Sequence, residues 1–556
     1  MQRIRLAALG GLDEDGKNMY LIEIDDDIFV VEAGLKYPNE SEQLGVEYII
    51  PDFSYLIQNK DRIRGVFLSH GHEDVMLGLC HLLKEIDVDV YGTALTIKIL
   101  EAELQRRQIH SCRVHIINRM DEFKVHGHKI NSFPISMSVP DGCGYAFDTE
   151  YGPIVYTSEF IFEFDYSNKY YGMSISALTA IGARNPLALL AESSASDRKG
   201  YTTPRYRITE YLERFLDNND DRVIISLYKQ NLYRIMEIVN AAVKYGRKVF
   251  FYDEDHINLL KTVQALGYYQ IPKNVIIDKK DFNNSIVDCI VVVSANGSKV
   301  FKIMNKIAVG EDDVVELRPK DTVIIASPVV PGTEKVASTM ENDLYKADVR
   351  ISKVNAKELL NMHASIEDLK MMLYMIKPKY YLPIMGQYSS LVSNAEVATK
   401  MGYTPDKIVI LDNGQFATFE NGKLVSTRDT IELNDTLIDG SDRTDVSGMV
   451  LKDRESLSTD GVIVVGVVLN YDTKEVFGGP DVQSRGVIYL KDADYILTEV
   501  GNILLNCIST AVAEKRYENM PTRIEAREQI SKYILKETGK KPMILPAIVE
   551  IRVGDE

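Results

Sequence analysis

The sequence predicts an α/β protein of several domains: an αββα sandwich, a doubly wound parallel sheet inserted into it, and a small C-terminal α+β domain. Three observations predict it. Apolar strands joined by a short turn open the chain, strands alternate with helical stretches from about residue 206, and a polar segment sets off a compact last stretch of about 100 residues. At 556 residues the chain exceeds one ordinary core, so two to four domains are expected.

Residues 18–24 (NMYLIEI) and 28–33 (IFVVEA) are apolar-rich strands, and Asp25-Asp26-Asp27 between them suits a hairpin turn. Residues 65–69 (GVFLS) form a short buried strand that runs directly into the polar cluster His70-Gly71-His72-Glu73-Asp74. A strand ending in such a loop suits the rim of an αββα sandwich. From 206 the texture changes: helix 206–217, strand 222–227, helix 231–245, then strands 248–252, 288–294 and 321–327 with helical spacers. That alternation predicts a parallel, doubly wound sheet. Helix 366–376 and strand 380–384 continue the pattern. Residues 430–455 are rich in Asp, Ser and Thr without clear periodicity and read as a linker. Strands 461–469, 486–490 and 543–552 with helices 495–514 and 522–536 complete the last domain. The expected limits are 1–205 and 356–430 for the sandwich, 206–355 for the insert, 431–455 for the linker and 456–556 for the C-terminal domain.

Composition narrows the class. The chain is 45% hydrophobic and 26% charged, as soluble globular proteins are. No apolar run approaches the roughly 20 residues of a membrane span, so no membrane is expected as a partner. The start, MQRIRLAALGGLDEDGK, is broken by Arg3 and Arg5 and makes a poor signal peptide but a fair first strand. Five scattered cysteines (Cys80, Cys112, Cys143, Cys289, Cys507) without a CxxC argue for a reducing cytoplasm and against disulfides or a thiolate zinc site. A net charge of −17 leans against a general nucleic-acid binder, which is usually basic. If RNA is handled, positive charge must be confined to a groove or supplied by a partner.

The chemistry-bearing segment is LSHGHEDVMLG, residues 68–78. Alternate residues of an extended loop point the same way, so His70, His72 and Asp74 together suit zinc or manganese. The alternative is a polar loop satisfied by hydrogen bonds. Neighbouring segments decide between them. HxHxD in this setting, with GGLDEDGKNMYLIEI (10–24), GVEYIIPDFSYL (45–56), VPDGCGYAF (139–147), IKPKYYLPIMGQY (376–388) and KKPMILPAIVEI (540–551), resembles the RNase J family over essentially the whole chain, in its degenerate second-paralogue form. The resemblance implies a metallo-β-lactamase domain interrupted by a β-CASP domain, then a C-terminal assembly domain. It also implies degradation of RNA from the 5′ end, in mRNA decay and rRNA maturation.

The departures from the family pattern carry most of the information. The family's two metals, about 3.5–4 Å apart, activate water and clamp the phosphodiester. Its first metal takes two histidines matching His70 and His72 and a third at Met137; its second takes Asp74 and two histidines at Val75 and Met385; the bridging aspartate is Glu159. Valine has no lone pair, and a thioether suits copper(I), not zinc, manganese or magnesium. The expectation is that no cofactor is firmly bound and that at most one divalent metal, zinc or manganese, is weakly held by His70, His72 and Glu159, with Asp74 vestigial. In the substrate pocket the resemblance implies Tyr228, Lys229, Gln230 and Asn231 near a 5′-phosphate, and Asn361, His363 and Ser365 at a helix start that favours an anion, His363 being the candidate general acid. The loop 294–300 (SANGSKV) has lost its acidic residue, and Pro331-Gly332-Thr333-Glu334 remains. For Asn231 and Pro331 a capped helix or turn is an equal reading.

These residues predict an RNA-processing subunit of low or absent activity, partnered with an intact RNase J paralogue as a homodimer or hetero-oligomer and a candidate RNA degradosome member. The alternative is an active one-metal 5′–3′ exoribonuclease or endoribonuclease. A small-molecule hydrolase is disfavoured, because the insert and the C-terminal domain build a channel for a polymer.

Overall fold

Turn chemistry and strand propensity set the opening hairpin as expected: Met19–Ile24 pairs antiparallel with both Arg3–Gly10 and Asp27–Val31, and Asp25 makes the reversal with a left-handed φ of 55°. The computed structural model describes residues 2–38, 45–110, 112–164, 169–203, 207–217, 221–229, 231–329, 332–354, 362–439, 448–487 and 494–552. It divides into two units, residues 1–438 and 439–556.

In the first unit an eight-stranded sheet and a six-stranded sheet face each other. Aromatic rings from the two inner faces meet, with Tyr20 on Tyr156 (5.7 Å), Phe29 on Phe147 (5.6 Å) and Phe67 on Tyr145 (5.6 Å). Helices cover the outer faces: residues of Leu79–Glu85 and Ala94–Arg106 pack on the first sheet, and those of Ile175–Gly182, Ile366–Ile376 and Tyr388–Lys400 on the second. The architecture is the expected αββα sandwich. Ile154–Tyr156, Ala188–Glu192 and Tyr380–Ile384 run parallel, so their carboxyl ends share one rim of the second sheet. The rim of an α/β sheet at its strands' carboxyl ends is where backbone and side chains are free to serve a ligand.

The insert is a five-stranded parallel sheet in the order Lys248–Phe251, Cys289–Ala295, Val223–Tyr228, Thr322–Ile325, Arg350–Lys353. Alternate residues enter two different cores: Ile225, Phe251 and Val292 pack with Leu212, Ile235 and Leu260, whereas Ile224, Phe250 and Val291 pack with Val300, Met304 and Met340. Helices on both faces make it doubly wound, as the alternating pattern predicts.

The second unit is a three-stranded sheet, Val476–Arg485, Val462–Asn470, Met543–Ile551, under helices Asp494–Ala513 and Asn519–Thr538. Ile463, Val465, Val467, Ile544 and Ile548 face the helices, while the alternate residues Val464, Leu545 and Val549 are exposed. Three expectations are corrected here. The segment 430–455 is not free of regular structure: Thr436–Asp439 is a strand and Gly448–Thr459 a helix whose sequence lacks an apolar stripe, so periodicity could not reveal it. The edge strand among the described residues is Val476–Arg485; of the expected strand 486–490, Gly486 and Val487 stand outside any strand and 488–490 lie outside the described residues. Asp494–Ala513, interrupted by Glu499, Gly501 and Asn502, is nevertheless long and apolar enough by length and composition to cross a membrane; Ile496, Val500, Leu504, Cys507, Ile508 and Ala511 bury one stripe of it against the sheet.

Candidate metal centre

Strand Ile63–Phe67 delivers Ser69 and His70 to the rim, and His72, extended at φ −90° and ψ 156°, caps a short helix, Glu73–Met76. The extended stretch therefore stops at His72. Asp74 sits on the helix, where its carboxylate accepts from Asn18 Nδ2 at 3.2 Å, and it does not join the two histidines as strand-like alternation predicts. From the second sheet, Glu159 follows Ser158, whose φ is 57°. Among the described residues, His70, His72 and Glu159 are the group whose possible ligand atoms all lie within 4.8 Å of one another. Glu159 Oε1 is 3.4 Å from His70 Nε2 and 3.3 Å from His72 Nδ1. All three residues are buried, and His70 Nε2 and Glu159 Oε1 make no hydrogen bond of their own.

The ring nitrogens on the far side are held by hydroxyls. Ser138 Oγ lies 2.9 Å from His72 Nε2; Ser69 Oγ lies 2.8 Å from His70 Nδ1 and donates to Ser158 Oγ at 2.9 Å. Beneath them the fully buried Glu32 accepts from the Ser69 amide, and burial pushes its carboxyl up to about 7 against the pull of His70. Ser138 stands in a loop anchored by Arg119, whose guanidinium donates to the backbone carbonyls of Gly142, Lys169, Tyr170, Ile135 and Gly172.

His363 reaches the same rim. Its Nδ1 is 2.6 Å from Glu192 Oε2 and 3.6 Å from Glu159 Oε2. Burial disfavours its charge, but the two carboxylates overcome that and hold its pKa up at about 9. Burial likewise works against charge on Glu159, yet His72, His70 and His363 keep its carboxyl well below the usual range. Sequence reasoning missed Glu192. It is fully buried at the end of strand Ala188–Glu192 and also accepts from the amides of Phe160 (2.7 Å) and Ala364 (2.8 Å). A carboxylate closing an otherwise apolar strand was the available signal. Its position corrects the expectation of an open anion seat at the helix start near 365: the chain's own carboxylate takes those donors. Ser365 is fully buried in a capping box with Asp368, its hydroxyl 2.8 Å from Thr202 Oγ1.

Val75 and Met137 are fully buried, and Met385, at φ 58°, is 6% exposed. Met137 packs so closely on Gly142 that a Cβ there would sit 2.5 Å from its sulfur.

Comparison with known proteins agrees with this architecture. The description "Beta-lactamase superfamily domain" matches residues 51–186, "Ribonuclease J, beta-CASP domain" residues 220–344, and "Ribonuclease J C-terminal domain" residues 449–551. A protein named Ribonuclease J 2 from Staphylococcus aureus is 32% identical over 552 residues, covering 99% of this chain and 98% of that one. The chain belongs to the RNase J family. Proteins of the same name from Staphylococcus epidermidis (32%, 99% and 98% covered) and Staphylococcus saprophyticus (30%, 99% of both) match equally fully. A solved protein of unknown function from Enterococcus faecalis shares the fold, with a TM-score of 0.52 over 75% of this chain and all of that one at 14% identity.

The RNase J fold implies metal, and the residues present fit one divalent cation: two imidazole nitrogens and one carboxylate, with two buried donor atoms otherwise unsatisfied. The insert offers less than the resemblance implies. Asn231 caps helix Leu232–Lys244 by accepting from the Arg234 amide, Lys229 pairs with Asp253 (3.2 Å) and Asp255 (3.0 Å), and Tyr228 donates to Pro328 O. Asn296 of the 294–300 loop instead donates to Glu73. Gln230, Pro331 and Asn361 lie outside the described residues.

Proposed function

We propose that this protein is an RNA-processing subunit of the RNase J family with a degenerate metal centre, weakly active or inactive by itself, working beside an intact family member. One observation carries this reading: Val75, Met137 and Met385 are buried apolar side chains at the three positions where the family resemblance calls for imidazoles. The second metal's set is reduced to Asp74, which is bonded to Asn18, and a share of Glu159. His70, His72 and Glu159 would hold a single zinc or manganese ion. Bound there, such an ion supplies Lewis-acid polarisation of a phosphodiester. His363, kept charged by Glu192, supports an anion contact and can carry a proton to a leaving oxygen.

The exposed apolar residues Val464, Leu545 and Val549 of the C-terminal sheet support assembly through that domain, as a homodimer, with an intact paralogue, or within an RNA degradosome. Partner-supplied positive charge suits a chain of net charge −17. We place the protein in the cytoplasm, where its five free cysteines stay reduced, and propose limits of 1–205 and 356–430 for the sandwich, 206–355 for the insert and 456–556 for the C-terminal domain. The second reading, a one-metal nuclease, is favoured by the fit of the three-donor group.

Metal analysis of the purified chain, with turnover of 5′-monophosphorylated RNA, separates the two. We expect at most one metal per chain and turnover at least ~1000-fold below an intact family member, since losing one clamp forfeits several kcal/mol and each 1.36 kcal/mol is tenfold. Two tightly held metals with brisk turnover would overturn the proposal.

A further inference from the structure

We propose that the loop 198–201 seats single-stranded RNA on the rim beside His363: Arg198 and Lys199 take backbone phosphates, and Tyr201 gives a base a face to stack on. The inference rests on the RNA-processing reading of this chain and names where the strand lies.

The run 198–207, RKGYTTPRYR, holds four basic residues, two tyrosines and no acid, in a chain of net charge −17. Basic residues interleaved with aromatic ones suit a strand of nucleic acid, whose phosphates and bases need different partners. The backbone at the start of this run is fixed by its neighbours. The Arg198 amide donates to Ala195 O at 3.0 Å, and the amides of Ile366 and Glu367 donate to the carbonyls of Arg198 (2.9 Å) and Gly200 (3.2 Å). Thr202 is buried, its hydroxyl donating to His363 O at 2.5 Å and its amide to Asp368 Oδ2 at 3.0 Å. The first amides of helix Ile366–Ile376 are thus taken up by the loop itself, so attraction for an anion falls to side chains. Among the described residues neither Arg198 nor Lys199 pairs with a carboxylate, whereas Arg207, further along, meets Glu163 at 3.1 Å. Arg198 is half-buried, Lys199 is exposed, and Tyr201 is 41% exposed. The charge of Arg198 also reaches His363 and opposes the charge there. Two cations side by side, one of them half-buried without a counter-ion, are unfavourable in the chain by itself, and a polyanion laid across them relieves both. An acidic peptide would meet these charges but has no base to lay on Tyr201.

The test uses the full chain and a fluorescent oligouridylate, with a chelator present so that no strand is cut, and reads binding by anisotropy over a range of salt. We expect Arg198→Ala with Lys199→Ala to weaken binding about 10-fold and to flatten the slope of log affinity against log salt by about 1.4, each single-strand phosphate contact carrying about 0.7. Tyr201→Ala should weaken binding about 10-fold at an unchanged slope, with Tyr201→Phe restoring it. Lys400→Ala, at the far end of helix Tyr388–Lys400, should match the parent chain. All variants should keep the parent's urea midpoint, because the loop is anchored by backbone groups and Thr202. Parent affinity and slope in the Arg198, Lys199 double variant would overturn the assignment and leave the RNA-processing reading standing. A parent chain that binds no RNA even at low salt would overturn both. Polyglutamate displacing the strand as readily as unlabelled RNA does would overturn the assignment in favour of an acidic peptide.

Discussion

The tripeptide His-Gly-His occurs twice in this chain, at 70–72 and at 126–128, and each copy meets a carboxylate, yet only the first builds a cation seat. His126 Nδ1 and His128 Nε2 lie 3.2 and 2.9 Å from Asp27 Oδ2, as close as the first pair comes to Glu159. The difference lies in what else the carboxylate touches. Arg64 Nε is bonded to Asp27 Oδ1 at 2.5 Å, so a fixed cation already neutralises that cluster, and His126 is largely exposed on a hairpin turn where it and Gly127 both take positive φ. At the other end of the sandwich Glu159 faces only imidazoles, in a buried setting that leaves two donor atoms unsatisfied. Gly71 serves packing there, since a Cβ would meet Ile99 at 2.4 Å. Two imidazoles and an acid are common; burial without a resident cation is what makes them a ligand set.

The largest effect that would sharpen this contrast comes from completing the first site. Histidine at Val75, Met137 and Met385 together, with Glu159→Asp, should raise metal content from at most one to two per chain. RNA turnover should rise by about three orders of magnitude, whereas Val75→His alone should leave the stoichiometry unchanged; elemental analysis and turnover assays read both. Next, Glu159→Gln should weaken zinc binding by at least ~10-fold, as loss of a charged ligand requires. Asp27→Asn should leave it unaltered, and equal losses in a chelator competition would erase the distinction drawn here. The smallest effect is on stability. Burial alone would raise the Asp27 carboxyl, but bonds from Arg64, His126 and His128 outweigh it and lower the folded pKa. The stabilisation is therefore complete above the unfolded value near 3.9 and is lost as pH falls through the folded one. Urea denaturation of Asp27→Asn should show a deficit of about 1 kcal/mol at neutral pH that vanishes in acid.

Much of the fold was legible because strand and helix periods repeat where one face is buried. Helix Ile366–Ile376 has the predicted limits, and four of the insert's five strands lie within two residues of theirs, the short fifth, Arg350–Lys353, having gone unpredicted. Gly448–Thr459 escaped because its sequence carries no apolar stripe, and Val476–Arg485 because Gly478, Gly479 and Pro480 read as a turn. At the site, spacing pointed to His70 and His72, but it could not show that a helix begins at Glu73 and carries Asp74 away. Nor could it show that Glu192, from a strand 33 residues beyond Glu159, closes on His363, a contact between positions 171 apart. Long-range pairing of this kind leaves no local period to read.

Arg119 ties the ends of the loop around Met137 and Ser138, at Ile135 and Gly142, to the segment 169–172 by five bonds to backbone carbonyls. The wall of the cleft is thus stapled by a positive charge belonging to the polypeptide itself, and its contour owes nothing to any ion taken from solution. Such a wall keeps its contour by the polypeptide's own charge, whichever side chains line the seat beside it.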